Sequence, residues 1–334
     1  MIGAGASGAL SARAGPVPYG AVSSGLMALP DVISQLPGGV HGPFVRLARY
    51  RRVHACVDGH PGSLRGSRRG SRPPVRHELI GLQSAMAFDV AADAYGRFMG
   101  RYSEPLADQL VELAGVRRGQ RAVDVGCGPG VLTSRLVERL GAEQVRAVDP
   151  SPPFVAAARA RCPGVDVRPG TAEQLPFADD SADVVLANLV VHFMSDPVGG
   201  LREMGRVGGL VGATVWNHAT TAGPLSTFWQ AVKDLDPDAA DEASLPGTGE
   251  GALGELARGA GLRDLVETTI TVTVPFSSFA EWWEPYTLGV GPAGDHVRRL
   301  DDEARDALRD HCAELLPDGA FTVDATAWTV LGRA

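Results

Sequence analysis

A strand that runs into three glycines constrains this chain more than any other feature in it. Ala122, Val123 and Val125 form an apolar run around Asp124, and Gly126, Gly128 and Gly130 follow at alternate positions. Leu132, Leu136 and Leu140 then recur at helical spacing, and Gly141 ends the pattern. Glycines let the backbone turn sharply and pass close to a ligand that a Cβ would hold off. The next apolar run, 145–148, closes on Asp149. An acid about 20 residues beyond such a loop sits at the tip of the neighbouring strand, where it accepts from both hydroxyls of a ribose. Together these predict an α/β sheet with a site for a nucleoside-like ligand.

The rest of the chain supports that sheet. Strands are predicted at 121–125, 145–149, 165–168, 183–188 and 210–216. They alternate with helices at 131–140 and 154–161 and with one that carries Leu201, Met204 and Val207 on one face. Leu106, Leu110 and Leu113 mark an amphipathic helix ahead of the first strand. Such alternation builds a parallel, doubly wound sheet. The pattern then changes. Val266, Ile270, Val272 and Val274 alternate with Glu267, Thr269, Thr271 and Thr273, and 321–331 alternates likewise, so both read as half-buried strands. Between them lie a helix at 301–315 and one carrying Phe279, Trp282, Trp283 and Tyr286. Those aromatics share one helical face. It is either core or, where exposed, a wall for a planar ligand to which Trp216 and Trp229 would add.

The glycine spacing distinguishes two cofactor classes. Dinucleotide loops read G-x-G-x-x-G, whereas here the third glycine comes two places after the second, across Pro129. The run from Asp124 to Gly130 resembles motif I of the class I S-adenosylmethionine-dependent methyltransferases. Gly170-Thr171-Ala172-Glu173-Gln174-Leu175-Pro176-Phe177 is similar to that family's third-strand motif, and Asp183-Val184-Val185-Leu186-Ala187-Asn188 to its fourth strand. The likeness runs over 88–334. It implies a Rossmann-like α/β fold, a doubly wound seven-stranded sheet of order 3-2-1-4-5-7-6 with the last strand antiparallel. It also implies S-adenosylmethionine as cofactor and a small-molecule acceptor methylated on O, N or C by in-line displacement. The competing readings are an NAD(P)-dependent oxidoreductase and a non-catalytic S-adenosylmethionine-binding regulator.

The resemblance assigns roles residue by residue. Gly126, Gly128 and Gly130, with Cys127 between them, let the backbone approach the methionine end. Asp124 orients the loop and the cofactor's amino group. Asp149, beside Pro150, holds the ribose. Thr171, Ala172 and Glu173 edge the adenine, Thr171 standing where relatives commonly have Asp. Asn188 and Leu189 pass beside the methionine moiety. Tyr95 and Arg101 belong to a segment that either lids the pocket, with the Arg on the cofactor carboxylate, or forms a surface helix. His192 follows the fourth strand and is either a general base or a packed loop histidine. Segments at about 219–250 and 277–317 are read as acceptor-site insertions. Relatives usually carry Arg-Pro-Gly-Gly ahead of the fifth strand. Arg206-Val207-Gly208-Gly209 is about three residues shorter, which predicts a weak point there.

Charge divides the chain. Residues 1–85 hold ten Arg, no Lys and three acids, a net +7, while 86–334 carry a net −15. An acidic body argues against extended nucleic-acid binding. The first 85 residues are rich in Gly, Pro, Ser and Arg and lack sustained periodicity. They read as a disordered extension, possibly upstream of a natural start at Met86. Gly3-Ala4-Gly5-Ala6-Ser7-Gly8 fits the dinucleotide pattern literally, but no strand precedes it and Pro16 and Pro18 interrupt any following helix. The basic run 65–76 reads as a solvated tail. Cys56, Cys127, Cys162 and Cys312 show no paired spacing, which predicts reduced thiols, no metal site and a cytoplasmic protein. No apolar run is long enough to span a bilayer, and no signal-peptide pattern opens the chain.

Overall fold

The computed structural model describes residues 92–334. The readings made for 1–85, including Cys56, the glycine run at 3–8 and the basic run at 65–76, lie outside the described residues.

The first strand, β1 (Ala122–Val125), is buried throughout. It pairs in parallel with β2 (Val145–Asp149) on one side and β4 (Ala182–Asn188) on the other. Beyond β2 lies β3 (Asp166–Pro169), and beyond β4 lies β5 (Gly208–Trp216). β7 (Phe321–Arg333) runs antiparallel between β5 and β6 (Arg263–Phe276). The seven-stranded order is β3-β2-β1-β4-β5-β7-β6, as the resemblance implies.

Strand side chains alternate between faces, and here each face has its own apolar cover. In β4, Val184 and Leu186 enter one core while Val185 and Ala187 enter the other. The first core takes α1 (Arg101–Leu113), α2 (Val131–Leu140) and α5 (Ser226–Leu235), with the C-terminal helices α7 (Phe279–Trp283), α8 (Gly291–Arg299) and α9 (Asp302–Glu314). The second takes α4 (Pro197–Val207) and α6 (Ala252–Gly259). A further helix, α3 (Pro152–Arg161), packs Val155 and Ala158 on Ala147 and Val167.

One open reading is decided and two local expectations change. The aromatic face that begins in α7 and continues through the 3₁₀ turn Glu284–Leu288 is core: Trp282 is 2% exposed, Tyr286 is equally buried, and Tyr286 stacks on Phe228 at 4.6 Å. Val266 shares its parity with Ile270, Val272 and Val274 but is exposed; it lies beside a register shift near the start of β6. The short turn before β5 is also well held. α4 passes directly into β5, and Arg206 donates to the carbonyls of Leu175 and Phe177 while pairing with Glu203 and Asp179. A Cβ on Gly208 would stand 3.1 Å from the Ala182 carbonyl oxygen, so a glycine lets the strand close at once.

Candidate active site

A cavity of about 670 Å³ opens at the C-terminal ends of the parallel strands, where doubly wound sheets place their ligands. Gly126 and Gly128 after β1, and Asp149 and Pro150 at the end of β2, line it. So do Thr171, Ala172 and Glu173 after β3, Asn188 and Leu189 at the end of β4, and Tyr95 from the segment before α1.

Asp149 is the fixed point. It is 5% exposed, and its carboxylate accepts from the Gly128 N–H at 2.8 Å and from the Ser151 N–H at 2.8 Å. Burial pushes its pKa up, and the two backbone bonds oppose that rise. Tyr95 packs edge-on against Phe154 at 5.4 Å, and burial with the nearby Asp149 charge raises its hydroxyl to about 12. Asn188 is held by the Thr214 hydroxyl at 2.8 Å. Glu173 uses its Oε1 to accept from the Ser195 and Asp196 N–H groups, so it braces the loop as well as lining it. Leu189 has φ +65°, a left-handed conformation that non-glycine residues adopt at a cost. Its N–H is held by the Thr214 carbonyl at 3.0 Å.

Four expected contacts do not line this cavity. Asp124 is 1% exposed and takes the Thr133 hydroxyl at 2.6 Å, so it holds the start of α2 from beneath the loop. Burial raises its carboxyl to about 7, against the pull of that hydrogen bond. Cys127 packs into the small core under α3. Gly130, at φ +87°, brings α2 against α3, where an added Cβ would meet the Ala158 α-carbon at 3.2 Å. Arg101 pairs with Glu281 at 3.0 Å and lies over the Phe276 ring. Sequence reasoning missed the floor made by Ser151, Pro152, Pro153 and Phe154. Its signal was the proline pair Pro152-Pro153, three residues after Asp149, which starts a helix at the cavity edge.

His192 lies outside the large cavity and inside a neighbouring one. Its side chain is 3% exposed and its pKa falls well below 6.5, first through burial and then through His218.

The comparisons with known proteins agree with this geometry. A family profile described as "Methyltransferase domain" matches residues 123–211, from β1 into β5. An uncharacterized methyltransferase of Mycobacterium tuberculosis is 39% identical over 136 residues, which is 40% of this chain and 53% of that protein. Residues 123–211 thus match a methyltransferase domain, the family that the motifs from Asp124 to Asn188 resemble. A malonyl-[acyl-carrier protein] O-methyltransferase of Erwinia billingiae is 33% identical over 44% of this chain and 59% of its own length. The chain thus spans little more than half of the curated relatives it matches. Among solved structures, a Haemonchus contortus phosphoethanolamine N-methyltransferase aligns with TM-score 0.48 at 16% identity, over 78% of this chain and 60% of that one.

The residues present fit the family's cofactor. Gly128 lines the cavity at φ +53°, and a Cβ built on it meets no protein atom within 4 Å, so a side chain is missing where a ligand approaches the backbone. Among the described residues no cluster of three His, Cys, Asp or Glu side chains forms a metal site, and no helix is long and apolar enough to cross a membrane.

Proposed function

We propose that this protein transfers a methyl group from S-adenosylmethionine to the O, N or C atom of a small molecule. The observation that carries the reading is Asp149, a buried carboxylate at the β2 tip clamped by the Gly128 and Ser151 N–H groups on the floor of the large cavity. Its remaining lone pairs take the two ribose hydroxyls. Ala172 and Phe154 give the adenine apolar surfaces, and Thr171 accepts from its exocyclic amine without charge assistance. The open α-carbon of Gly128 admits the methionine end, with Asn188 and Leu189 alongside.

When bound, S-adenosylmethionine supplies a methyl activated by its sulfonium charge. The protein's own contribution is alignment and exclusion of water. Tyr95, Phe154, Phe193 and Met194 line the cavity and shield its interior. The buried free thiols Cys127, Cys162 and Cys312 suit a reducing compartment, so we read the protein as cytoplasmic.

Calorimetry tests the cofactor. S-adenosylmethionine and S-adenosylhomocysteine should both bind at micromolar levels, on the order of −7 to −8 kcal/mol. No heat with either, alongside clear binding of NAD, overturns the proposal in favour of an oxidoreductase. Methyl transfer to at least one member of an acceptor panel separates an enzyme from a regulatory binder.

A further inference from the structure

A second, smaller cavity of about 40 Å³ adjoins the first and shares Tyr95, Leu189 and Phe193 with it. Its walls are mostly apolar, with Phe98, Met99, Leu225 and Val290 among them. Two polar groups in those walls stand out. His192 is 3% exposed and its Nδ1 has no hydrogen-bond partner. Trp216 is 2% exposed and its Nε1–H has none. Buried polar atoms are normally paired, and two orphans lining one cavity call for a common ligand. Among the other polar members, Glu242 is already engaged. Glu242 accepts from Trp229 Nε1 at 2.9 Å, and the His218 Nε2 stands 3.9 Å from its other oxygen.

We propose that this cavity is the subsite for the acceptor's reacting hydroxyl, donated to His192 Nδ1 while its oxygen accepts from Trp216 Nε1–H. The inference rests on reading the large cavity as the S-adenosylmethionine site. Its argument is complementarity. An indole N–H only donates, and Nδ1 of a neutral Nε2–H imidazole only accepts. A hydroxyl satisfies both at once. A tertiary amine cannot donate, and a methyl carbon does neither. A cavity of about 40 Å³ exceeds the roughly 30 Å³ share of one water, enough for a hydroxyl and the carbon that bears it.

The same geometry narrows the class of hydroxyl. Burial makes the imidazole a weak base, and it holds a proton only from an acidic O–H. A phenol or enol meets that need, with its oxygen and the carbon that bears it in the small cavity. In the transfer, a lone pair on the hydroxyl oxygen forms the new O–C bond and the O–H proton passes to His192 Nδ1. The electron pair of the broken carbon–sulfur bond stays on sulfur.

The test uses the whole protein saturated with S-adenosylhomocysteine, with phenol and toluene as probes. Phenol should bind at least tenfold more tightly than toluene and should shift the His192 and Trp216 ring resonances in NMR spectra. Trp216→Phe, close in shape, should reduce that preference to less than threefold while leaving S-adenosylhomocysteine affinity unchanged. His192→Gln, which keeps an acceptor oxygen, should retain part of the preference. It also serves as the second variant should Trp216→Phe fail to fold. If S-adenosylhomocysteine binds but phenol and toluene bind alike, or the ring resonances do not move because an ordered water alone bridges the pair, the subsite inference is overturned. The same holds if N,N-dimethylaniline, which has no N–H or O–H, matches phenol. If S-adenosylhomocysteine itself does not bind, the failure lies with the proposed function instead.

Discussion

The two cavities share a wall, yet they are assembled by different means. The large one is built where four parallel strands end, from backbone and short side chains close to each strand tip: Gly126 and Gly128, Asp149, Thr171, Asn188. The small one gathers side chains from distant places: Phe98 before α1, His192 after β4, Trp216 at the end of β5, Glu242 before α6 and Val290 at the start of α8. The first is a consequence of local geometry repeated at neighbouring strands. The second exists only once the antiparallel half of the sheet and its helices have packed. A cofactor common to a family suits a site of the first kind, and an acceptor particular to one protein suits the second.

The sharpest way to break that contrast is to remove the anchor of the backbone-built site. Asp149→Ala should weaken S-adenosylhomocysteine binding about 100-fold or more, since each charge-assisted bond to a ribose hydroxyl is worth about 1.5–3 kcal/mol. Val290→Ala, in the wall of the small cavity, should leave that affinity within twofold. Calorimetry on both variants decides it, and a loss below threefold for Asp149→Ala removes it as the ribose anchor.

A smaller effect separates two glycines of one loop. Gly126 and Gly128 both have positive φ, at about 1–2 kcal/mol each for an alanine. A Cβ on Gly126 would also press to 2.5 Å from the Val190 side chain, while one on Gly128 meets only open space. Gly126→Ala should therefore lower the melting temperature clearly more than Gly128→Ala. Gly128→Ala should instead cost about tenfold in cofactor affinity, because its methyl group occupies ligand space. Equal melting temperatures would show that Val190 yields freely and that the loop is less fixed than its contacts indicate.

This division also explains what could be read from the chain before its structure. Glycine spacing, Asp149 and the alternating strands are local patterns, and each led to the correct element and the correct end of the sheet. Less is legible where a residue's neighbours are distant in sequence. For Arg101 the sequence leaves lid and surface helix open, and the Glu281 that pairs with it lies 180 residues away. The aromatic face on α7 had the right period for either core or pocket, and only the packing of Phe228 on Tyr286 decided for core. Asp124 is read from sequence as orienting the loop and the cofactor's amino group, and its bond from the Thr133 hydroxyl ties the loop to the following helix. Trp216 and Glu242 carried no motif, and nothing in the linear pattern joined them to His192.

The finest distinction between the two regions lies in how pH acts on their buried charges. Asp124, under the cofactor loop, has its carboxyl raised by burial to about 7 from an ordinary value near 4. Between those values the folded protein binds more protons than the unfolded chain, so this group makes stability fall as pH rises. His218, beside the small cavity, is shifted the other way: burial lowers its imidazole to about 4 from 6.5. Between pH 4 and 6.5 the unfolded chain binds more protons, so His218 makes stability rise with pH. Replacing each group should remove its own slope. Asp124→Asn, which keeps an oxygen for the Thr133 hydroxyl, should gain stability relative to the wild type as pH goes from 5 to 8. His218→Gln should gain relative to the wild type as pH goes from 6.5 down to 4.5. Each difference should be on the order of 1–3 kcal/mol, read as a few degrees in melting temperature for a domain of this size. Glu242, also raised by burial to about 7, is far from the Asp124 comparison and adjoins His218, so His218→Gln reads the pair together. Melting curves across that pH range decide the matter. Parallel curves for Asp124→Asn and the wild type would mean that Asp124 ionises freely and that the cofactor loop is wetter than its burial indicates. Parallel curves for His218→Gln would say the same of the small cavity, and would remove the dry environment that makes His192 a weak base.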